Sequence, residues 1–214
     1  MAKTLAQLIL WARQSADMEN DPLCDDAEIT VYVNDGLRDL YLAYTTHYTD
    51  AYLLSQAFTV ASGATTAPLP TGYLKSRGVD WWSGNRWIPL RHFNWRERGS
   101  YHSGRRAHRI DTVIRLDPIQ LDLSGIYQIW YYPTAPVLTG PSSALDVLMD
   151  QWSDFIVSYA AAHMLTKAKL DNTQQTNLMS YVLEKLAGEA ERRDSEPEQA
   201  PDVEANGTDE AWGF

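Results

Sequence analysis

The spacing of apolar residues changes twice along this chain, and the two changes limit the folds that it can adopt. In residues 4–18 and 26–47 apolar side chains recur at the three- and four-residue intervals of a helix face. From 53 to about 132 the chain carries short runs of β-branched and aromatic residues separated by Gly, Pro, Asn and Asp. Helical spacing returns over about 146–170 and over 172–193. This order predicts an α+β fold, an antiparallel helical bundle of about four helices with a small inserted region like a β-sandwich or barrel.

The clearest strand candidate ends this inserted region, in the stretch IYQIWYYPTAP at residues 126–136. Bulky and aromatic residues dominate its first seven positions, and Pro133 and Pro136 follow them. Because proline fixes φ and has no N–H to donate to a ladder, the two prolines end strand pairing. We expect IYQIWYY to be the last strand of the insert, and PTAPVL to be a stiff exit that returns the chain to the helices.

Four regions follow from these patterns. Residues 1–50 form the N-terminal helices of the bundle, 51–140 the β-rich insertion, 141–193 the C-terminal helices and 194–214 an acidic C-terminal arm. The arm has seven acidic residues, no basic residue and few apolar ones. A segment of this composition is extended and stays disordered until a partner orders it.

Composition is typical of a water-soluble globular protein. Hydrophobic residues make up 44% of the 214 residues and charged ones 21%, and no apolar run approaches the roughly 18 residues that cross a bilayer. The N-terminus has the pattern of an amphipathic helix and not of a signal peptide. Cys24 is the only cysteine, which excludes an internal disulfide and argues against a cysteine-based zinc site. We expect a cytoplasmic setting and no membrane partner.

Charge is unevenly distributed around the net value of −10. Residues 75–115 carry ten basic and three acidic residues, whereas residues 1–50 carry three basic and nine acidic ones. Two interpretations stay open. In the first, the charged side chains only keep exposed surfaces solvated. In the second, they align copies of the chain that associate head to tail.

Motifs for catalysis are missing from the sequence. It contains no P-loop, no GxSxG, no HExxH and no GxGxxG. His102, His108 and Asp111 are close in sequence but lack the further convergent ligands that a metal site needs. Asp150 and Asp154 share a helix face and have no partner motif for acid–base chemistry. We therefore predict that the protein is not an enzyme and binds no cofactor and no metal.

Tryptophan and arginine are interleaved within the basic block. Such a mixture is typical of protein interfaces, and it also stacks nucleic-acid bases or sugars or contacts the backbone of duplex DNA. We favour a role in the β-core or in a subunit or partner interface, and the polar stretch around Arg105 and Arg106 predicts a loop tip. The interface candidates are Trp81, Trp82, Arg86, Trp95, Arg96, Arg98, Arg105 and Arg106.

Four stretches, in their order along the chain, resemble the head-to-tail adaptor (connector) proteins of tailed bacteriophages. The most specific is IRLDP followed by IYQIWYYPTAPVLT. Together the four cover most of residues 4–193, and the acidic arm is not part of the pattern. The other three are ITVYVNDGLRDLYLAY, APLPTGYLKSRGVDWWSGNRWIPL and DQWSDFIVSYAAAHMLTKAKLDN.

The resemblance implies a structural virion protein without enzyme activity. Proteins of this kind form a homo-oligomeric ring, here expected to have twelve copies, beneath the portal in the virion neck between capsid and tail. They help to retain the packaged DNA and give the tail, nozzle or tail-completion proteins a platform. The resemblance further implies assembly in the cytoplasm of a host bacterium, with packaged duplex DNA passing through the lumen of the ring.

The acidic arm is the candidate for portal binding. In similar adaptors the C-terminal segment often reaches the portal, and here the arm ends with aromatic residues that suit folding upon binding to a groove. The residues expected to bind the portal are Asp209, Glu210, Trp212 and Phe214.

Two other functions stay open on sequence grounds. The basic block at residues 75–115 is compatible with a nucleic-acid-binding module, against which the sequence pI of about 4.9 argues. The tryptophans are also compatible with a carbohydrate-binding tail domain, against which the flanking helices and the missing pair of catalytic carboxylates argue.

Overall fold

The computed structural model describes residues 2–92, 107–116 and 123–195. These residues form five helices and two four-stranded sheets, so the predicted α+β class is confirmed. The helices are α1 (Leu5–Ser15), α2 (Asp26–His47), α3 (Val147–Asp150), α4 (Ser153–Lys167) and α5 (Thr173–Ser195). The strands are β1 (Leu54–Val60), β2 (Thr66–Ala67), β3 (Tyr73–Trp82), β4 (Trp87–Pro89), β5 (Arg91–His92), β6 (Ala107–Ile110), β7 (Ile114–Leu116) and β8 (Gly125–Pro133).

Side-chain caps fix where the first two helices begin. The Thr4 hydroxyl accepts a hydrogen bond from the Gln7 N–H, and the Gln7 side chain accepts one from the Thr4 N–H, at 3.4 and 2.9 Å. The Asp25 carboxylate accepts from the Glu28 N–H at 2.7 Å. Each cap satisfies N–H groups that have no partner within the helix.

The C-terminal helices differ in two details from the predicted pattern. The single helix expected over about 146–170 is interrupted at Gln151 and Trp152, which separates the short α3 from α4. At this break the Trp152 ring is buried and lies 5.5 Å from the Lys185 ammonium group. Helix α5 continues to Ser195, and the rest of the predicted arm, residues 196–214, lies outside the described residues.

All five described helices contribute to one hydrophobic cluster, α3 through Met149. Side chains from α1, α2, α4 and α5 pack together, with Leu8, Ile29, Leu37, Ile156 and Leu186 completely buried. Helices α2 and α4 approach closely because Gly36 has no side chain. A Cβ at Gly36 would lie 3.0 Å from the Tyr159 Cβ.

The two sheets share a second hydrophobic cluster. The first sheet has the strand order β1-β8-β3-β4 and the second β2-β7-β6-β5. Strand β8 contains the stretch IYQIWYY and is a central strand, paired antiparallel with β1 and β3. Its buried side chains Tyr127, Ile129 and Tyr131 pack with side chains of the second sheet that include Ile114 and Leu116.

A set of hydrogen bonds joins the helices to the β strands. The Tyr41 hydroxyl on α2 donates to the Pro133 carbonyl at 2.9 Å, and the Tyr132 hydroxyl donates to the Thr49 carbonyl. The Tyr52 hydroxyl, in the connection from α2 to β1, donates to Asp146 Oδ1 at 2.5 Å. We call these three contacts the junction.

Among the described residues no helix combines the length and the hydropathy needed to cross a bilayer.

Replacement of Gly36 by alanine tests the close approach of α2 and α4. The new Cβ has to displace the Tyr159 Cβ, which cannot move without the α4 backbone, so we expect a net loss of about 1–2 kcal/mol in the free energy of unfolding after the gain in helix propensity. Gly188→Ala on α5 is the matched control, because a Cβ there meets nothing within 4 Å. It should stabilise the protein by about 0.5–1 kcal/mol. Urea unfolding measures both, and equal effects would contradict the packing argument.

Candidate interaction surface

The strand register decides which tryptophans face the core. Residues opposite each other in an antiparallel pair project to the same face of the sheet. Trp81 lies opposite the buried Tyr127 and packs against the core between the sheets. Trp82 therefore projects to the other face, together with its cross-strand partner Trp87. The sequence alone does not tell which of the two adjacent tryptophans faces the core, whereas the strand register does.

A tight turn joins β3 to β4 and carries Trp82 and Trp87, which project from the sheet face opposite to the core. Residues 82–87 connect β3 to β4 and form what we call the hairpin tip. The Ser83 N–H donates to the Arg86 carbonyl at 3.0 Å, and Gly84 has a φ of +96°, which glycine adopts readily. The Trp82 and Trp87 rings lie 5.2 Å apart, and Trp87 is 37% exposed.

The remaining candidates from the sequence lie elsewhere. The aromatic and basic residues Trp95, Arg96, Arg98, Arg105 and Arg106 fall outside the described residues, as do the arm residues Asp209, Glu210, Trp212 and Phe214. Their roles stay predictions. Of the interface candidates the structure describes Trp81, Trp82 and Arg86, and it brings the last two together at the hairpin tip.

A second exposed apolar feature was not predicted from the sequence. We call it the junction groove, a cavity of about 380 Å³ between α2 and the exit segment after β8. Two bonds between the Asn34 side chain and the Leu138 backbone, at 2.8 and 3.0 Å, hold the exit segment along α2. The groove is lined by Tyr41, Leu42, Leu74, Ala135, Pro136 and Val137, with Asp35 and Arg38 among its polar residues.

The uneven charge of the sequence is arranged along α2. Exposed acidic residues lie in and next to the turn before this helix, which spans roughly 33 Å. They are Asp17, Glu19, Asp21, Asp25 and Asp26. The other end of α2 leads into the junction and the β strands, whose described residues include Lys75, Arg77, Arg86, Arg91, Arg109 and Arg115. The acidic and basic parts of the chain therefore lie at opposite ends of α2.

Two side chains of types that often act in catalysis, a carboxylate and a thiol, are held in structural contacts here. The Asp150 carboxylate accepts from the Lys3 N–H at 2.8 Å, which fixes the N-terminal segment against α3. Cys24 is buried, and burial raises the pKa of its thiol, which disfavours a nucleophilic thiolate. Within the described ranges no group of three or more His, Cys, Asp or Glu side chains could hold a metal ion.

His108 is the most unusual titratable group among the described residues. It is 4% exposed, its Nδ1 has no hydrogen-bond partner, and its ring lies 5.5 Å from that of His92 on the neighbouring strand. Burial, and to a smaller extent His92, lower the pKa of His108 to about 4, although a hydrogen bond with the Leu90 backbone opposes the shift. The folded protein therefore holds this imidazole in its neutral form at pH 7.

His108→Gln should make the protein less sensitive to mild acid. As the pH falls below about 6.5, the unfolded chain binds a proton at His108 while the folded chain does not, so stability decreases until about pH 4. The pKa shift corresponds to a loss of about 2 kcal/mol between pH 7 and pH 5. Urea unfolding at both pH values should show a smaller loss for the variant. His163→Gln, at an exposed histidine, is the control, and equal losses in both variants would contradict the assignment.

Comparison with known proteins gives the family. A search of curated proteins found no match. The family model described as SU10 adaptor protein matches residues 3–203, which includes both the helices and the β strands. It also covers the hairpin tip and the junction groove. The predicted resemblance is thereby confirmed, and the chain belongs to the SU10 adaptor family, a family of phage head-to-tail adaptor proteins.

Proposed function

We propose that the chain is the subunit of an adaptor ring that joins the phage head to its tail. The match over residues 3–203 to an adaptor family carries this proposal. In the proposal about twelve copies form a ring beneath the portal in the virion neck. The ring helps to retain the packaged DNA and gives tail, nozzle or tail-completion proteins a platform. It is assembled in the cytoplasm of the host bacterium.

The division of the fold into two cores supports a mechanical role. We infer that the helices act as one bundle and that the two sheets act as a sandwich-like insert. Each part has its own buried cluster, and the bonds from Tyr41 to Pro133 and from Tyr132 to Thr49 link them. A subunit built in this way can carry load between two partners, because neither part depends on a mobile connection for its position.

The proposal includes contact between the ring and the packaged DNA. Arg77 and Arg91 are exposed, and no carboxylate in the described parts of the chain forms an ion pair with either of them. Side chains of this kind suit the phosphate backbone of duplex DNA in a ring lumen. A separate nucleic-acid-binding module or a carbohydrate-binding tail domain has no comparable support from the family match.

The acidic arm is proposed to bind the portal through its last residues. Asp209 and Glu210 would steer the arm by charge, and Trp212 and Phe214 would anchor it in an apolar groove. Binding of this kind orders a segment that is rich in acidic residues and proline.

A pull-down from infected bacteria tests the function and the arm together. Tagged protein should retain portal and tail proteins from a nuclease-treated lysate, and mass spectrometry identifies them. Truncation after Ser195 keeps α5 whole and should abolish portal capture. Trp212→Ala with Phe214→Ala should weaken it at least about tenfold, because aromatic anchors contribute roughly 2 kcal/mol or more.

The matched control neutralises the charges and keeps the aromatic residues. Asp209→Asn with Glu210→Gln should slow association and leave most of the affinity. Circular dichroism establishes that each variant is folded. Capture of nucleic acid or polysaccharide without any virion protein would overturn the adaptor function, and full portal capture by the truncated chain would overturn the role of the arm.

A further inference from the structure

The hairpin tip carries two tryptophan rings that belong to neither hydrophobic cluster of the described residues. Trp82 and Trp87 project from the face opposite to the core, and the turn that carries them is fixed by the bonds between Ser83 and Arg86. Two large rings held together on a short rigid turn have little conformational entropy to lose upon binding. Trp and Arg are also the residue types that dominate binding energy at interfaces. The tip therefore has the properties of an anchor.

The junction groove has the properties of a receptor for such an anchor. Its apolar wall includes Leu42 and Val137, which are 38% and 67% exposed. Its volume of about 380 Å³ lies within the roughly 300–1,000 Å³ of pockets that bury a drug-sized ligand. The exit segment that forms one wall of the groove is held along α2 by the two bonds between Asn34 and Leu138.

The charges of the two surfaces are complementary. Arg86 lies at the hairpin tip, and no carboxylate in the described residues is within ion-pairing distance of it. Beside the groove Arg38 is paired with Asp35 at 3.1 Å and lies 3.8 Å from Asp39, so two carboxylates face one guanidinium group. The net charge beside the groove is negative and that of the tip is positive.

We infer that the hairpin tip of one copy docks into the junction groove of a second copy. The inference rests on the proposed function, because a ring needs a contact between two different surfaces of the same chain. Every copy carries one tip and one groove, so a closed ring uses all of them. A contact of like surfaces would instead stop at a dimer and would bring Arg86 against Arg86.

Strand β3 links the two surfaces and sets the distance between them. Leu74 lines the groove near the start of β3, and Trp82 ends the same strand. β3 has two irregularities in its pairing with β8, so the groove and the tip lie roughly 20–25 Å apart. In a closed ring the tip of one copy meets the groove of the next copy, and all grooves lie in one plane perpendicular to the ring axis. The line from groove to tip, and with it β3, must then run nearly perpendicular to that axis. If twelve copies close the ring, the contacts lie at a radius of roughly 40–50 Å from the axis.

Site-directed cross-linking between two variants tests the contact. Asn85→Cys places a thiol in the exposed turn of the tip, and Val137→Cys places one at the groove. The two purified variants are mixed and treated with a short bis-maleimide. A mixture of Asn85→Cys with Ser180→Cys on the exposed side of α5 is the matched control, and the wild type reports the background from the buried Cys24. We expect at least about tenfold more heterodimer from the first mixture than from the control.

Second substitutions separate docking from folding. Trp82→Ala with Trp87→Ala in the Asn85→Cys chain should lower the yield of heterodimer to that of the control mixture. Arg86→Glu, at an exposed position, should lower the yield of heterodimer about two- to fivefold, and Asp35→Lys in the Val137→Cys chain should restore it. Equal yields from the two mixtures would overturn the inference, as would an excess that none of these substitutions changes.

The result is independent of the test of the proposed function. The cross-linking is repeated on the complex recovered in the pull-down. If virion proteins are captured and the heterodimer is missing from both samples, the docking inference fails while the adaptor function stands. If the heterodimer forms and no virion protein is captured, the adaptor function fails while docking between copies stands.

Discussion

The carboxylate of Asp146 is the interaction on which the arrangement of this protein depends. Its Oδ1 accepts from the N–H groups of Leu148 and Met149, which starts α3, and from the Tyr52 hydroxyl in the connection to β1. Tyr52 has a φ of +59°, a conformation that costs energy in a residue with a side chain. One acidic group therefore couples the start of the C-terminal helices to the start of the β strands. Burial and this hydrogen bond raise the pKa of Tyr52, so the hydroxyl remains a donor.

The junction makes the relative position of the two parts a property of the subunit. Burial raises the pKa of Tyr41 to about 12, so this hydroxyl also remains protonated and donates to the Pro133 carbonyl. Lys75 on β3 adds a bond to the Thr45 carbonyl at 3.4 Å and lies 4.8 Å from the Tyr132 ring. As a result the groove beside α2 and the tip at the far end of β3 are held at a fixed separation. A ring subunit needs that property, because small errors in the angle between its contact surfaces accumulate around the ring.

Much of this fold could be predicted from local patterns, and the interaction surfaces could not. Periodicity and caps located α1, α2 and the last strand, since these depend on neighbouring residues. The break at Gln151 and Trp152 is not visible in the apolar spacing, because Trp152 keeps its buried position in the periodic pattern on both sides of the break. The sequence places Trp81 and Trp82 in one group of interface candidates. Only the register with β8 shows that the Trp81 ring faces the core and the Trp82 ring faces the other side of the sheet. The junction groove combines residues from α2, β3 and the exit segment, so no single stretch of sequence carries a signal for it.

The most direct test of this account is an electron cryomicroscopy reconstruction of the protein bound to the partner that it captures from infected cells. The account predicts a closed ring in which every copy keeps the β strands in the orientation that the junction imposes, with β3 nearly perpendicular to the ring axis and the tip of each copy against its neighbour. Copies that bind the partner without touching one another, or that rotate the β strands away from α2, would contradict it.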